Sequence, residues 1–516
     1  MVPIEAIAVV TNPRDNVAVA KRPIAPGIHV QLPEGRIVET RAQIMPGHRF
    51  ALVDIPIDSY ILQYGQPIGT SLGVSAGDAV SHENMKDDVP VVRELPDNLF
   101  NPPPQYFPGD LRRTFQGFRR HNGRVGTRNF VLVIPTSMCA SHEALQVSIL
   151  GEFTLYTRQK FLNVDGVSAI PHNKGCGCQD GSNVDLLLRV ISNYADHPNV
   201  GGVILMELGC EKTNLSVVEK YLARLGRDLR KPLARISIQQ VGGTQKAITA
   251  GLEAVEQMLP ELNRARREPV PLSELILGVK CGGSDGFSGI SANPSLGQAA
   301  DLLVRSGGTI LMTEVPEFCG AEHLLAERAK NAETGRAIYR MVDWYKEYAA
   351  RWGASVGENP SPGNIQSGLL NITIKSLGAI AKAGTTRIEG VTAYGDPPKG
   401  RGVFLMQGPG YDQESTPGLV AAGAQVVVFT TGRGSTIGNA IAPVVKLASN
   451  NEIFERMKED IDMSAGDVLN GAKSVEALGE EVFLLVRKVA SGEIPAKAEI
   501  HKHREFQVWA EQAVSL

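Results

Sequence analysis

Six cysteines, Cys139, Cys176, Cys178, Cys210, Cys281 and Cys319, all fall between positions 139 and 319 of a 516-residue chain. Apolar filler would scatter more evenly, so the clustering itself points to chemistry. Four of them follow runs that read as strands: Cys139 after Phe130–Pro135, Cys176 after Gly166–Pro171, Cys210 after Val203–Glu207 and Cys281 after Leu275–Lys280. The carboxyl edge of an open parallel sheet is where ligands bind. Thiolates there suit iron(II), as a single ion or an iron–sulfur cluster, with another divalent cation as the alternative. The bland reading makes the same four cysteines small hydrophobes at tight joins. Cys176-Gly177-Cys178 is a CxC, and with no CxxC anywhere the pattern is no zinc ribbon. His172, four residues before Cys176, is a candidate base beside such a metal, although a lone histidine is more often a satisfied loop residue.

A second constellation starts at Cys281 itself. Cys281-Gly282-Gly283-Ser284-Asp285-Gly286-Phe287-Ser288-Gly289 is a glycine-rich loop between a strand and a helix expected near Ser295. The amides at Gly282, Gly283 and Ser284 can cradle a carboxylate or phosphate. A tight turn needs neither Ser284 nor Asp285, which favours a function for both. The loop is neither GxGxxG nor a Walker sequence. Thr430-Thr431-Gly432-Arg433-Gly434-Ser435 closes another apolar strand, and Arg433 there can hold a carboxylate through two N–H groups. Glu314 and Glu317 flank Pro316 at a further strand end, as hard metal ligands or as a solvated turn.

These residues need elements to position them. Strand-like and helix-like runs alternate from Gly117 onward, the pattern of parallel α/β structure. Helices are expected over Asn214–Leu225, Thr244–Leu259 and, as one long stretch, Ala321–Arg351. Before that, Ala6–Val10, Asn16–Ala20, Ile28–Leu32, His48–Ile55 and Tyr60–Tyr64 are short strands punctuated by Pro26-Gly27, Pro33-Glu34-Gly35 and Pro46-Gly47. The expected organisation is an all-β module over residues 1–86, a proline-rich linker over 87–116, a central α/β domain over 117–266 and a C-terminal α/β domain over 267–516. His48 and His82 sit at turns of the first module, as surface decoration or as the polar tip of a lid that the linker lets swing.

Composition narrows the partners. With 52 Lys+Arg against 55 Asp+Glu the formal net charge is −3, which excludes a broad electrostatic grip on nucleic acid or an anionic membrane. No apolar run approaches the ~20 residues of a membrane span, and the start has no basic segment ahead of an apolar one, so a cytoplasmic location is expected. Fifty-four glycines with only 6% aromatic residues suit an enzyme with backbone-lined loops better than a base-stacking surface.

Taken together, the motifs resemble the altronate/galactarate dehydratase family. The matching stretches include Gly123-Arg124-Val125-Gly126-Thr127-Arg128-Asn129, Leu208-Gly209-Cys210-Glu211, KCGGSDGFSGISANP (280–294), TEVPE (313–317), ENPSPGN (358–364), KSLG (375–378) and FTTGRGS (429–435). The first module matches through Asp15-Asn16-Val17-Ala18 and Tyr64-Gly65-Gln66-Pro67. The resemblance implies a β-clip module of the SAF type, a central domain able to carry homodimer contacts and a Rossmann-like C-terminal domain. It implies iron-dependent loss of water from a small sugar acid to give a 2-keto-3-deoxy acid. Carried onto this chain, it makes His172, Asp285, Arg433 and Lys375 catalytic. Gly282, Gly283, Ser284, Asn359, Asn364, Thr431, His48 and His82 become substrate-binding, and Cys139, Cys176, Cys210 and Cys281 metal ligands. The stretch TEVPEFCGAEHLL (313–325) favours altronate over galactarate. A related sulfo-lyase and a non-catalytic sugar-acid-binding regulator are the competing readings.

Overall fold

The computed structural model describes residues 1–33, 35–109, 113–227 and 229–511. Glu34 of the expected Pro33–Gly35 turn, residues 110–112 of the expected linker and residues 512–516 lie outside the described residues. The expected fold class is the one observed: a strand-rich start followed by two parallel sheets flanked by helices.

The first module is built from short strands in three small sheets, among them Val17–Ala20 paired antiparallel with Arg49–Ala51. The expected strand over Ala6–Val10 shrinks to Ala8–Val9, because Ile4–Ile7 makes one helical turn that buries Ile4 and Ile7 together. The proline-rich segment is no free tether. Arg93 pairs with Glu322 at 2.7 Å, Asn101 Nδ2 donates to the Ala329 carbonyl at 2.7 Å and Phe107 N donates to the Arg305 carbonyl at 2.8 Å. It is strapped along the C-terminal part, which corrects the picture of a swinging lid.

The central sheet contains β1 (Phe130–Pro135), β2 (Gly166–Ala169), β3 (Val200–Glu207) and β4 (Leu233–Ser237), all parallel in the order β2-β1-β3-β4. β1 is buried on both faces: Leu132 and Ile134 join the main core, Val131 and Val133 a second one beneath the neighbouring helices. That two-sided burial explains its unbroken apolar sequence. Thr114–Gly117 pairs antiparallel with Glu268–Pro271, so the two ends of the central domain lie side by side.

The larger sheet contains β5 (Ile276–Cys281), β6 (Thr309–Met312), β7 (Ile388–Thr392), β8 (Gly402–Met406), β9 (Val426–Thr431), β10 (Val444–Ala448) and β11 (Met463–Ser464). All are parallel, in the order β7-β8-β6-β5-β9-β10-β11. The chain leaves β5 toward β6 on one side and returns as β9 on the other, so the topological switch point lies between β5 and β9. The expected helix over 321–351 is two helices, Glu322–Glu327 and Ala332–Arg351. Lys330 N donates to the Ile388 carbonyl and Asn331 caps the second helix at Thr334 N, both at 2.9 Å, which breaks the run between them. Among the described residues no helix is long and apolar enough to cross a membrane.

Candidate active site

At the switch point, the loop after β5 and the loop after β9 are tied together: Gly432 N and Arg433 N both donate to the Gly283 carbonyl, at 3.0 and 2.8 Å. Ligands bind in open α/β sheets at such a crevice. A cleft of about 820 Å³ opens beside these loops, lined by Asp285, Arg433, Ser367 and Asn450 together with Lys21 and Arg22 of the first module. Arg433 Nη1 donates to the Gly363 carbonyl at 3.0 Å and to Ser367 Oγ at 2.7 Å, which aims the guanidinium while its other N–H groups stay available.

The glycine-rich loop is held from all sides. Asp285 accepts from Ser288 Oγ at 2.8 Å, Ser449 Oγ at 2.9 Å and Asn450 Nδ2 at 3.0 Å. Burial raises its carboxyl above the usual range against those donors. Asp285, expected to be catalytic, lines the cleft while its carboxylate is engaged by these donors, so what the structure places there is a group that holds the loop's shape. Asn364 Nδ2 donates to the Ser284 carbonyl at 2.8 Å, and Thr431 Oγ1 accepts from Gly434 N at 3.0 Å, so these two also set loop shape. Ser284 Oγ is buried without a hydrogen-bond partner. Gly282 has no room for a side chain, since a Cβ would stand 2.5 Å from the Asp412 carboxylate.

The first module docks directly onto this loop. A Cβ on Gly286 would lie 2.2 Å from the Gly47 carbonyl oxygen, and one on Gly368 2.1 Å from it. Gly47 itself has φ +80°, so three glycines meet where no side chain fits. His48 Nε2 donates to the Gln366 carbonyl at 3.0 Å. Beside it the fully buried Arg49 donates to Gln63 Oε1 and to the Gly368 carbonyl. Burial lowers the Arg49 guanidinium to about 10 and raises the Tyr64 phenol to about 12. His82, by contrast, is exposed and does not line the cleft; its assignment to substrate is not supported by its position.

Beneath the loop lies a charge network that the sequence only half disclosed. Cys281, Glu314 and Glu317 bring a thiol and two carboxylates within 4.8 Å of one another, all buried. Their spacing suits a metal ion. Lysines already occupy them, however: Lys280 pairs with Glu314 and, at 2.6 Å, with Asp412; Lys382 pairs with Glu314 at 2.8 Å; Lys375 pairs with Glu317 at 2.9 Å. Lys382 Nζ also donates to Cys281 Sγ at 3.0 Å. Three ammonium groups face three carboxylates, so the network is balanced without a cation, and a metal would have to displace lysine. Burial, reinforced by Glu314 and Glu317, pushes the Cys281 thiol up, which keeps it protonated. Burial opposes charge on Lys280 too, but Asp412 and Glu314 hold its ammonium above the ordinary range. Glu314 and Glu317 are therefore no solvated turn. Lys375 also donates to Asn359 Oδ1 at 2.7 Å, so these two expected site residues do meet.

The remaining expected residues belong to the other sheet. His172 is buried, with Nε2 donating to the Pro135 carbonyl at 2.9 Å and Nδ1 accepting from Lys174 N at 3.2 Å. Burial lowers it to about 4. A histidine with both nitrogens engaged in the fold is not a free base, and that expectation is corrected: it pins the loop leading to Cys176. Cys139, Cys176 and Cys210 are exposed on the central domain, whereas Cys281 is buried in the network just described. The four cysteines do not form one site. Lys382 and Asp412 escaped the sequence reading; the one available signal was a lysine inside an otherwise apolar stretch, Ala379-Ile380-Ala381-Lys382-Ala383.

Comparisons with known proteins bear on this arrangement. The model for the altronate/galactarate dehydratase SAF domain matches residues 6–88. That for the D-galactarate dehydratase/altronate hydrolase second domain matches 117–263, and that for the D-galactarate/altronate dehydratase C-terminal region 272–514. The chain is 35% identical over 489 residues to an altronate dehydratase of Bacillus subtilis, covering 93% of this chain and 94% of that one. It is 35% identical over 480 residues to the altronate dehydratase of Escherichia coli, covering 93% and 94%. Against the galactarate dehydratase (L-threo-forming) of Escherichia coli it is 35% identical over 486 residues, covering 93% and 91%.

Proposed function

The chain belongs to the altronate/galactarate dehydratase family of hydro-lyases, and on that premise we propose that it removes water from a hexonate, altronate in the first instance, to give a 2-keto-3-deoxy acid. The observation that carries this reading is the switch-point cleft, where Arg433 is aimed by two fixed acceptors and shares the lining with Lys21 and Arg22. A sugar acid enters with its carboxylate on Arg433 and the loop amides, and its hydroxyl chain lies toward the 359–368 loop and the unpaired Ser284 hydroxyl.

Loss of water then needs a proton taken from the carbon next to the carboxylate and a hydroxyl expelled from the next carbon. Cationic groups around the carboxylate stabilise the negative charge that develops as the proton leaves. Lys280 and Lys382 are fully buried among carboxylates, whereas Lys375, held by Glu317 and Asn359 Oδ1, keeps 9% exposure and is the lysine of the network nearest the surface. The enol left after elimination tautomerises to the keto acid. The iron(II) implied by the family resemblance would supply Lewis acidity toward the leaving hydroxyl. With lysines seated on Cys281, Glu314 and Glu317, no step is routed through a metal there.

The substrate choice rests on residues 313–325 and on two altronate dehydratases among the relatives; a galactarate dehydratase is equally similar. The test incubates the anaerobically purified chain, with iron(II), against altronate, galactarate and a sulfonated hydroxy acid. A 2-keto-3-deoxy product from altronate supports the reading, and faster turnover of galactarate moves the specificity. Sulfite release would assign a sulfo-lyase, and tight binding without turnover of any substrate would assign a regulator.

A further inference from the structure

Tyr64 is a residue that its turn does not call for. The hairpin between Tyr60–Gln63 and Gln66–Ser71 is closed by Tyr64 and Gly65 alone, with φ +58° and +69°. A two-residue loop with both residues left-handed favours asparagine, aspartate or glycine at its first position. A bulky side chain there costs about 1–3 kcal/mol and persists only where its surroundings over-determine it. Here they do. Tyr64 N donates to Thr11 Oγ1 at 3.0 Å, Gly65 N donates to Asp15 Oδ1 at 2.7 Å, and Thr11 Oγ1 donates to Asp15 Oδ2 at 2.6 Å. Strain of this kind gathers where a side chain has to be aimed.

The aim is out of the first module and into the C-terminal domain. A Cβ on Gly289 would stand 2.5 Å from the Tyr64 hydroxyl oxygen, and one on Gly378 3.5 Å from it. Gly289 ends the glycine-rich loop. Gly378 belongs to the helix Ile372–Ala379, one turn beyond Lys375 on the same face. Asp285, which lines the cleft, is near enough to oppose ionisation of the phenol, and so is Asp15.

The groups behind the phenol have donors to spare. Arg49 is fully buried and spends its guanidinium on Gln63 Oε1 and the carbonyls of Gly368 and Gly47, with no carboxylate among these acceptors. Its Nη2 is buried without a hydrogen-bond partner, and so is Gln63 Nε2. A guanidinium buried without a counter-ion is costly. Both groups favour the ionised form of Tyr64, although burial outweighs them and keeps the phenol protonated at rest. A negative charge that arises on the phenol oxygen is the charge that Arg49 and Gln63 are placed to stabilise.

We propose that Tyr64 is the catalytic acid that the first module brings to the site, with Arg49 and Gln63 as its positioning residues. The inference rests on the proposed loss of water. As the bond from carbon to the departing hydroxyl breaks, its electron pair stays on oxygen, and Tyr64 Oη gives that oxygen a proton, so that water leaves instead of hydroxide. The electron pair of the neighbouring C–H bond becomes the new double bond. The proton that this carbon loses replaces the one on Oη, and the phenol is restored.

The test places difluorotyrosine at position 64 of the full chain and follows its fluorine resonance. Addition of altronate or galactarate should move the resonance, because the hydroxyl meets the bound sugar acid. Arg49→Met should raise the pH at which the fluorinated phenol ionises by about one unit; should that variant fail to fold, Gln63→Met makes the same comparison. Separately, Tyr64→Phe should lower kcat about 1000-fold with KM little changed and circular dichroism intact. A resonance indifferent to both sugar acids, an ionisation indifferent to the neighbouring substitution, or wild-type kcat in Tyr64→Phe would overturn the proposal. The two fluorine readouts involve no turnover. A resonance that moves in a chain that dehydrates nothing counts against the proposed function alone, and full dehydration by Tyr64→Phe counts against this inference alone.

Discussion

Arg433 and Lys382 show how differently two cations serve one site. Arg433 is exposed at the cleft and held by only two acceptors. Arg433→Ala should therefore lower kcat/KM about 100-fold while leaving the melting temperature unchanged; equal loss of both would make it structural. Lys382 is fully buried against Glu314 and Cys281. Lys382→Met strands a carboxylate in the core, so it should cost about 3–5 kcal/mol in urea denaturation; a change below 1 kcal/mol would mean that water or another lysine takes its place. Arg433 was legible in the sequence, because an arginine between two glycines just past an apolar strand stands where a ligand can reach it. Lys382 was not legible, because its partners Glu314, Glu317 and Cys281 come from distant parts of the chain and only the β5–β6 register brings them together.

Among the elements, the strands were the easiest to read, since β1 and β9 are apolar on both faces and could only be interior strands. The breaks were harder. The gap between the helices at Glu322–Glu327 and Ala332–Arg351 depends on pairing with Ile388, a contact no local pattern announces. The contact between the first module and the glycine-rich loop is likewise long-range, and it is strict. Gly286→Ala puts a methyl 2.2 Å from the Gly47 carbonyl and involves no left-handed backbone at Gly286. It should push the module off the loop, raising KM and speeding proteolysis near residues 45–48, whereas unchanged kinetics would show that the contact yields cheaply. The loop that His172 pins responds to acid. Its folded value of about 4 lies below the ordinary 6.5, so the unfolded state binds more protons between them. Stability is then fully present above pH 6.5 and falls as pH drops toward 4, by about 3 kcal/mol at most. Denaturation midpoints of the wild type and His172→Gln across that range should differ in slope; parallel curves would assign the acid sensitivity elsewhere.

At the scale of the whole molecule, one core runs through what the sequence divides. Ile61 and Ile68 of the first module belong to the same buried cluster as Leu277 and Val427 of the larger sheet. A chain lacking residues 1–86 should lose turnover and also expose apolar surface, detected as dye binding and reduced solubility; a well-behaved, inactive truncation would restore the detachable lid. Parallel α/β architecture was legible from alternation alone, but not this shared interior, because proline-rich composition at 90–108 suggested a spacer and hid the side chains that strap it down.

The antiparallel ladder between Thr114–Gly117 and Glu268–Pro271 has a mechanical meaning. The chain arrives at Thr114 and departs at Pro271, and these two residues are partners at the same end of the ladder. Tension applied to the two termini therefore passes across that first rung and leaves the whole central domain slack. Only after the ladder has peeled, one rung at a time, does the load reach β1 to β4. Pulled in an optical trap, the molecule should lengthen in separate events, with the central domain giving way after the rungs that shield it.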